Sequence, residues 1–171
     1  MCVGISGIIH YKRPPLFWLQ SNSHTEILKH YKIKDDKPLE LRRHVKFELH
    51  PLGSLTSTRP SDWRFVLDED ETPDWFMESD WADKCIRAGV KQIIREYIKN
   101  GCPCDLYLQD TPIKDLGQLK SVGGYLDLRN TPIKDLGQLQ SVGGDLYLQG
   151  TPIKDLGQLQ SVSVGGEIYR G

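Results

Sequence analysis

DLYLQDTPIKDLGQLKSVGG occupies positions 105–124, YLDLRNTPIKDLGQLQSVGG positions 125–144 and DLYLQGTPIKDLGQLQSVSVGG positions 145–166, and EIYRG closes the chain. Near-identity at a period of 20 residues marks a stacked array in which each unit buries its apolar face against the next. A stack of this kind presents a laddered surface rather than a closed pocket. The pattern therefore points to recognition of a macromolecule more than to catalysis.

Within the first unit Leu106, Leu108, Ile113, Leu116, Leu119 and Val122 hold the apolar positions. Leu106 and Leu108 alternate as in a short strand, one face inward and one outward. Thr111, Thr131 and Thr151 stand where a side-chain oxygen satisfies backbone groups as the chain leaves the strand, and the Pro after each fixes φ at the bend. The pairs Gly123-Gly124 and Gly143-Gly144 let the chain turn back without a Cβ clash.

The spacing L-x-L-x-x-T-x-I resembles the leucine-rich repeat family, with Thr in the position of the family's Asn, over about 65 residues. Units this short leave room for tight turns or 3₁₀ segments rather than a helix on the far side. The resemblance implies a parallel β solenoid with a recognition face and implies no enzyme activity. The expected fold class is α+β, with a cap unit over 1–104, of which 1–15 is a poorly ordered extension, followed by the leucine-rich-repeat-like array over 105–171.

In such a ladder the outward residues form columns: Asp105, Tyr125, Asp145 and Glu167; Tyr107, Asp127, Tyr147 and Tyr169; Gln109, Arg129 and Gln149. These positions vary while the rest of each copy is nearly constant. Either they are specialised for a partner or they drift at exposed sites. Tyrosines beside carboxylates favour a protein partner over a phosphate backbone.

So short an array needs a cap, and a helix over Asp80–Lys99 is the candidate. Ala82, Ile86, Val90, Ile93 and Tyr97 recur at helical spacing, Ile94 and Ile98 widen the stripe toward the array, and Asn100-Gly101 supplies a stop. Lys84, Arg87, Lys91, Arg95 and Lys99 line up on the same helix. They read as a solvated face, or as a basic surface for phosphates or an acidic protein. The acidic stretch before them lacks the glycine and the final carboxylate of a calcium loop.

Ser23 and Glu26 form a capping-box pattern opening a short helix to about Tyr31. HTEILKHYKI has a faint helix-turn-helix character, but the alternation Val45, Phe47, Leu49 makes His44–His50 a strand and uses up the residues a recognition helix would need. A second strand, Trp63–Leu67, pairs with it across a turn-rich connection. His44, Glu48 and His50 share one face, read as the solvent side of a half-buried strand rather than a metal or proton-transfer site. The phrases SNSHTEILKHY and WRFVLDEDETPDWF resemble uncharacterised proteins of bacteriophages and bacterial mobile elements; that resemblance implies a small cytoplasmic accessory protein that interferes with a host system.

The 171 residues carry a formal charge of −1, which gives no drive toward nucleic acid or membrane. No apolar run reaches spanning length, and VGISGII is too short for a signal peptide. Cys102 and Cys104, one proline apart, are too close for an unstrained bridge and lack the second ligand pair of a zinc site. The GG pairs lack the Lys-Ser/Thr of a nucleotide loop. These features together predict a non-catalytic protein-binding module without cofactor or metal, with a phage-borne inhibitor of a host defence or regulatory protein as its setting. A nucleic-acid binder using the helix at 84–99, and a small hydrolase or nuclease in the front unit, are the alternatives. Arg170 replaces an inward Leu in the last strand, leaving an open edge that predicts a C-terminal homodimer, unless the extra Ser163-Val164 bends the chain over that edge.

Overall fold

A computed structural model describes residues 4–159, 161–162 and 166–171, the pair 161–162 by its backbone. The architecture is α+β. Strands β1 (Ile5–His10), β2 (Arg13–Leu16), β3 (His44–Pro51) and β4 (Trp63–Leu67) form an antiparallel sheet in the order β2-β1-β3-β4. The expected pairing of β3 with β4 is present, with Leu49 opposite Phe65. The expected loose extension over 1–15 is corrected: β1 lies at the sheet centre, with Ile5, Ile8 and Ile9 fully buried. Pro14 and Pro15 fall on β2, an edge strand whose register with β1 shifts between Ile8 and His10, as prolines on an edge require.

Helix α1 (His24–His30) and helix α2 (Glu78–Asn100) cover opposite faces of this sheet. Ile27 and Leu28 of α1 pack on Ile8. α2 presses against the other face at Gly89, where an added Cβ would collide with Leu49 and with the Phe17 ring, so only glycine admits this approach. Phe17 and Phe47 meet edge to face beneath it, centroids 5.5 Å apart. Ser23 takes the N-cap backbone conformation of α1 without a side-chain capping bond, so the capping-box pattern marks the start correctly but not the contact. One turn of 3₁₀ helix, Leu39–Leu41, stands where a recognition helix would begin.

From Leu106 onward each 20-residue unit contributes to two parallel ladders. One contains β5 (Leu106–Tyr107), β7 (Leu126–Asp127), β9 (Leu146–Tyr147) and β11 (Ile168–Tyr169); the other contains β6 (Ser121–Val122), β8 (Ser141–Val142) and β10 (Ser161–Val162). Equivalent residues stand side by side, Leu106 beside Leu126 and Val122 beside Val142. The second ladder was not read from the sequence, because Ser-Val before a glycine pair carries no alternation. Between the ladders the Thr111 and Thr131 hydroxyls donate to the carbonyls of Leu108 and Leu128 at 2.6 and 2.7 Å. The residue before each Thr, Asp110 or Asn130, takes a left-handed φ of 59° or 56°, a conformation these side chains tolerate. Asp115 and Asp135 then accept the backbone N–H two residues on, at 2.9 Å each, closing a tight turn rather than a 3₁₀ segment.

The glycine pairs avoid a Cβ clash, as expected, and the clash they avoid is with the neighbouring turn. Gly143 does not require a left-handed φ; a Cβ there would strike the carbonyl oxygen of Gly123 one unit earlier. Glycine is thus demanded by the close stacking of successive turns. One apolar core runs through both halves of the chain, from Ile5 and Phe47 to Leu146 and Leu148. It thins at the far end, where Ile153, Leu156 and Leu159 are only half-buried while Ile113, Leu116 and Leu119 are sealed.

α2 packs on the sheet at Gly89, its Val90, Ile93 and Tyr97 share the core that continues into the array, and backbone hydrogen bonds from other segments complete the joint between front unit and array. The N–H of Gly4 donates to the Tyr107 carbonyl at 2.7 Å, Leu55 N–H donates to Asp115 O at 3.0 Å, and Lys114 N–H donates to Gly53 O at 2.9 Å. Cys102 bridges to Val122 as the first rung of the second ladder. The first unit is therefore hydrogen-bonded on its open side. β11 pairs with β9 alone among the described residues, and Ser163-Val164, read as a possible cover for that edge, lie outside them. No helix among the described residues is long and apolar enough to cross a membrane.

Candidate functional site

The alternation within β5, β7 and β9 sends one leucine inward and the following residue to the outer face. The Tyr107 hydroxyl donates to Asp105 Oδ2 at 3.2 Å, and the Tyr147 hydroxyl donates to Asp145 Oδ2 at 3.0 Å. The other oxygen of each acid accepts a backbone N–H from the next unit, Tyr125 for Asp105 and Glu167 for Asp145, both at 2.9 Å. Each acid is therefore a clip between units that also orients the neighbouring ring. Tyr147 and Tyr169 stack with centroids 4.9 Å apart and planes 7° from parallel.

The second unit exchanges these roles. Tyr125 is exposed, whereas Asp127, expected on the surface, is buried at 1% exposure. The Arg129 guanidinium covers it, with Nε 2.9 Å from Oδ1 and Nη2 2.5 Å from Oδ2, and also lies 5.5 Å from the Tyr147 ring centre. Arg129, Tyr147 and Tyr169 thus form one continuous stack. Gln109 and Gln149 are half-buried rather than fully presented, and the side-chain oxygen of Gln149 is buried without a hydrogen-bond partner.

Burial and the Asp105 carboxylate push the Tyr107 phenol up to about 12. The hydrogen bond to Glu167 pushes Tyr169 up to about 12, and that to Asp145 raises Tyr147. The tyrosines are thereby held neutral, with their hydroxyl protons directed at the acids. Asp127 raises Arg129 through its hydrogen bonds.

Beside the first ladder strand lies a cavity of about 550 Å³, walled by Asp105, Tyr107 and Cys104 of the array and by Asn22, His24 and Asp68 of the front unit. His24 Nδ1 is 2.9 Å from Asp68 Oδ2 and its Nε2 is 2.8 Å from the Phe47 carbonyl oxygen. Glu48 Oε2 is 2.9 Å from His50 Nε2. The reading of His44, Glu48 and His50 as a solvent face is overturned, because Asp35 of the segment after α1 closes over His44 and Glu48 is buried against His50. His44 is 1% exposed and held by Asp35 at 2.9 Å, and Glu48 is 7% exposed. Burial, opposed by Asp35, lowers the His44 pKa. His24 and Asp68 escaped the sequence reading because the contact joins residues far apart in the chain, and a His at a helix start carries no periodic signal.

Cys104 faces the cavity, but burial and the adjacent Cys102 push its thiol far up, and Cys102 takes the lower of the pair's ionisations through hydrogen bonds from Cys104 and Tyr97. A thiol raised in this way is a poor nucleophile. Cys85, Cys102 and Cys104 are free thiols.

Lys84, Arg87, Lys91, Arg95 and Lys99 are all exposed on α2. Arg87 pairs with Asp83 at 2.7 Å, Arg95 with Glu96 at 2.9 Å, and Lys84 sits 5.1 Å from the Trp81 ring centre. Much of the stripe's charge is answered on the helix itself. No family model, no curated protein and no solved structure matches this chain.

Proposed function

We propose that the chain is a non-catalytic binding module whose array is a leucine-rich-repeat-like solenoid and whose outer strand face recognises a protein surface. One observation carries this reading: the tyrosines of the face are pre-set. Tyr107 and Tyr147 are each tethered by an acid of their own strand, and Tyr147 is stacked between Arg129 and Tyr169. Rigid aromatic anchors lose little rotamer freedom on binding, and Tyr and Arg are the residues that most often dominate interface energetics. The acid–tyrosine pairing recurs in units one and three and at the terminal strand, which favours a maintained surface over drift. The setting that fits is cytoplasmic, as a phage-borne or mobile-element inhibitor of a host defence protein.

The test is affinity capture from bacterial lysate with the intact chain beside a Tyr107→Ala/Tyr147→Ala/Tyr169→Ala variant whose thermal melt stays cooperative. A protein held by the first and released by the second supports the reading. Nucleic acid held by both, with steep loss on adding salt, would transfer the function to the basic face of α2.

A further inference from the structure

His24 at the start of α1, Glu48 on β3 and Asp68 just beyond β4 bring one ring nitrogen and two carboxylates within 4.8 Å of one another. His24 and Glu48 are 5% and 7% exposed, whereas the Asp68 side chain is 49% exposed and lines the cavity at the front of the array. Asp68 opens the cluster to solvent.

Its hydrogen bonds specify which atoms are left to bind. The Phe47 carbonyl oxygen, 2.8 Å from His24 Nε2, can only accept, so Nε2 carries the ring proton. In the neutral ring Nδ1 then bears a lone pair, and it faces Asp68 Oδ2 at 2.9 Å. Two acceptors at that separation need a positive centre to share, either a second ring proton or a metal ion. A backbone carbonyl fixing the far nitrogen of a histidine, and a donor fixing a carboxylate, are the supporting contacts that metal ligands have. Glu48 has such a donor in His50 at 2.9 Å. Donors about 2.1 Å from one ion lie about 3.0 Å apart in octahedral and about 3.4 Å apart in tetrahedral coordination, and the His24–Asp68 separation of 2.9 Å stands near the first. The nearest competing cation, Lys46, is occupied by Asp35 Oδ2 at 2.6 Å.

We propose that His24 Nδ1, Glu48 and Asp68 form a binding site for one divalent transition-metal ion of intermediate hardness, the class of Zn²⁺ and Mn²⁺. One imidazole with two carboxylates suits that class better than a soft monovalent ion, which prefers thiolate, or calcium, which takes six or more oxygens. Three protein ligands leave a coordination position open toward the cavity, where Asp105 and Tyr107 stand. The proposal is independent of what the ladder face binds.

Titration calorimetry of chelator-stripped full-length protein with Zn²⁺ and, separately, Mn²⁺ tests it, alongside thermal melts with and without each ion. The expected result is one ion per chain and a raised melting temperature with at least one of the two. Asp68→Asn, at a half-exposed position, weakens binding at least roughly 10-fold, and His50→Gln, which removes the ring that orients Glu48, weakens it by about 10-fold. Cys102→Ser/Cys104→Ser leaves it unchanged. Absence of binding by both ions would mean that a proton alone bridges His24 and Asp68. Binding unaffected by Asp68→Asn and His50→Gln, or abolished only by the cysteine changes, would likewise overturn the assignment.

Discussion

Arg129→Gln isolates the exchange made in the second repeat. Units one and three carry Tyr and Gln at the two outer strand positions, as Tyr107 with Gln109 and Tyr147 with Gln149, whereas unit two carries Asp127 and Arg129. Removing the guanidinium leaves the Asp127 carboxylate, 2% exposed as a side chain, without its cation. Breaking a fully buried ion pair costs about 3–5 kcal/mol. The Arg129 side chain is 44% exposed, so water reaches the vacated place and screening lowers the cost to about 2 kcal/mol. For a chain of this size that is a fall of about 4–8 °C in Tm. Asp127→Tyr/Arg129→Gln restores the pair found in the other units and sets a tyrosine between Tyr107 and Tyr147, so its stability returns to within about 1 kcal/mol of the parent. Urea unfolding followed by circular dichroism, with thermal melts beside it, measures both. An Arg129→Gln variant within about 0.5 kcal/mol of the parent, or a double variant no more stable than the single one, would refute the account of Arg129 as the cover of a buried charge.

Gly143→Ala drives a Cβ into the Gly123 carbonyl and is expected to cost about 1–3 kcal/mol in chemical denaturation; a neutral result would mean the turns do not stack this closely. Leu119→Ala, at a sealed position, should cost about 2–5 kcal/mol, and Leu159→Ala, half-buried at the open end, clearly less; equal costs would contradict a core that thins toward the terminus. The phenol absorbance of Tyr107 and Tyr169 should rise near pH 12, and Asp105→Asn should bring the Tyr107 transition down. Because those folded-state pKa values lie above the unfolded value near 10, the stability they add is fully present below pH 10 and is lost as pH rises toward 12. Among the described residues β11 has an unpaired edge beside the half-exposed Ile168 and Tyr169, which predicts end-to-end dimers; a light-scattering mass that stays monomeric over a wide concentration range would exclude them.

The repeat period, the inward leucines, the threonine bond, the pairing of β3 with β4 and the extent of α2 were determined by the sequence alone. Each rests on local spacing, which repetition and helical or strand periodicity display directly. Tertiary structure alone decided which strand faces are covered. Alternation in β3 correctly put Val45, Phe47 and Leu49 inside, but nothing local shows that the other face is covered as well, with Asp35 held against His44 and Glu48 buried. The same holds for Asp127, whose position in the repeat reads as exposed until Arg129 is seen lying across it. The closing of the first unit is also a tertiary matter: α2 packs on the sheet at Gly89 and shares one core with the array's leucines, while backbone bonds from Gly4, Gly53 and Leu55 join the front unit to the array. The His24–Glu48–Asp68 cluster joins three elements distant in sequence. A burial pattern set by a neighbouring element, and a cluster drawn from three elements, have no periodicity to betray them, because long-range packing and not the local chain brings those side chains together.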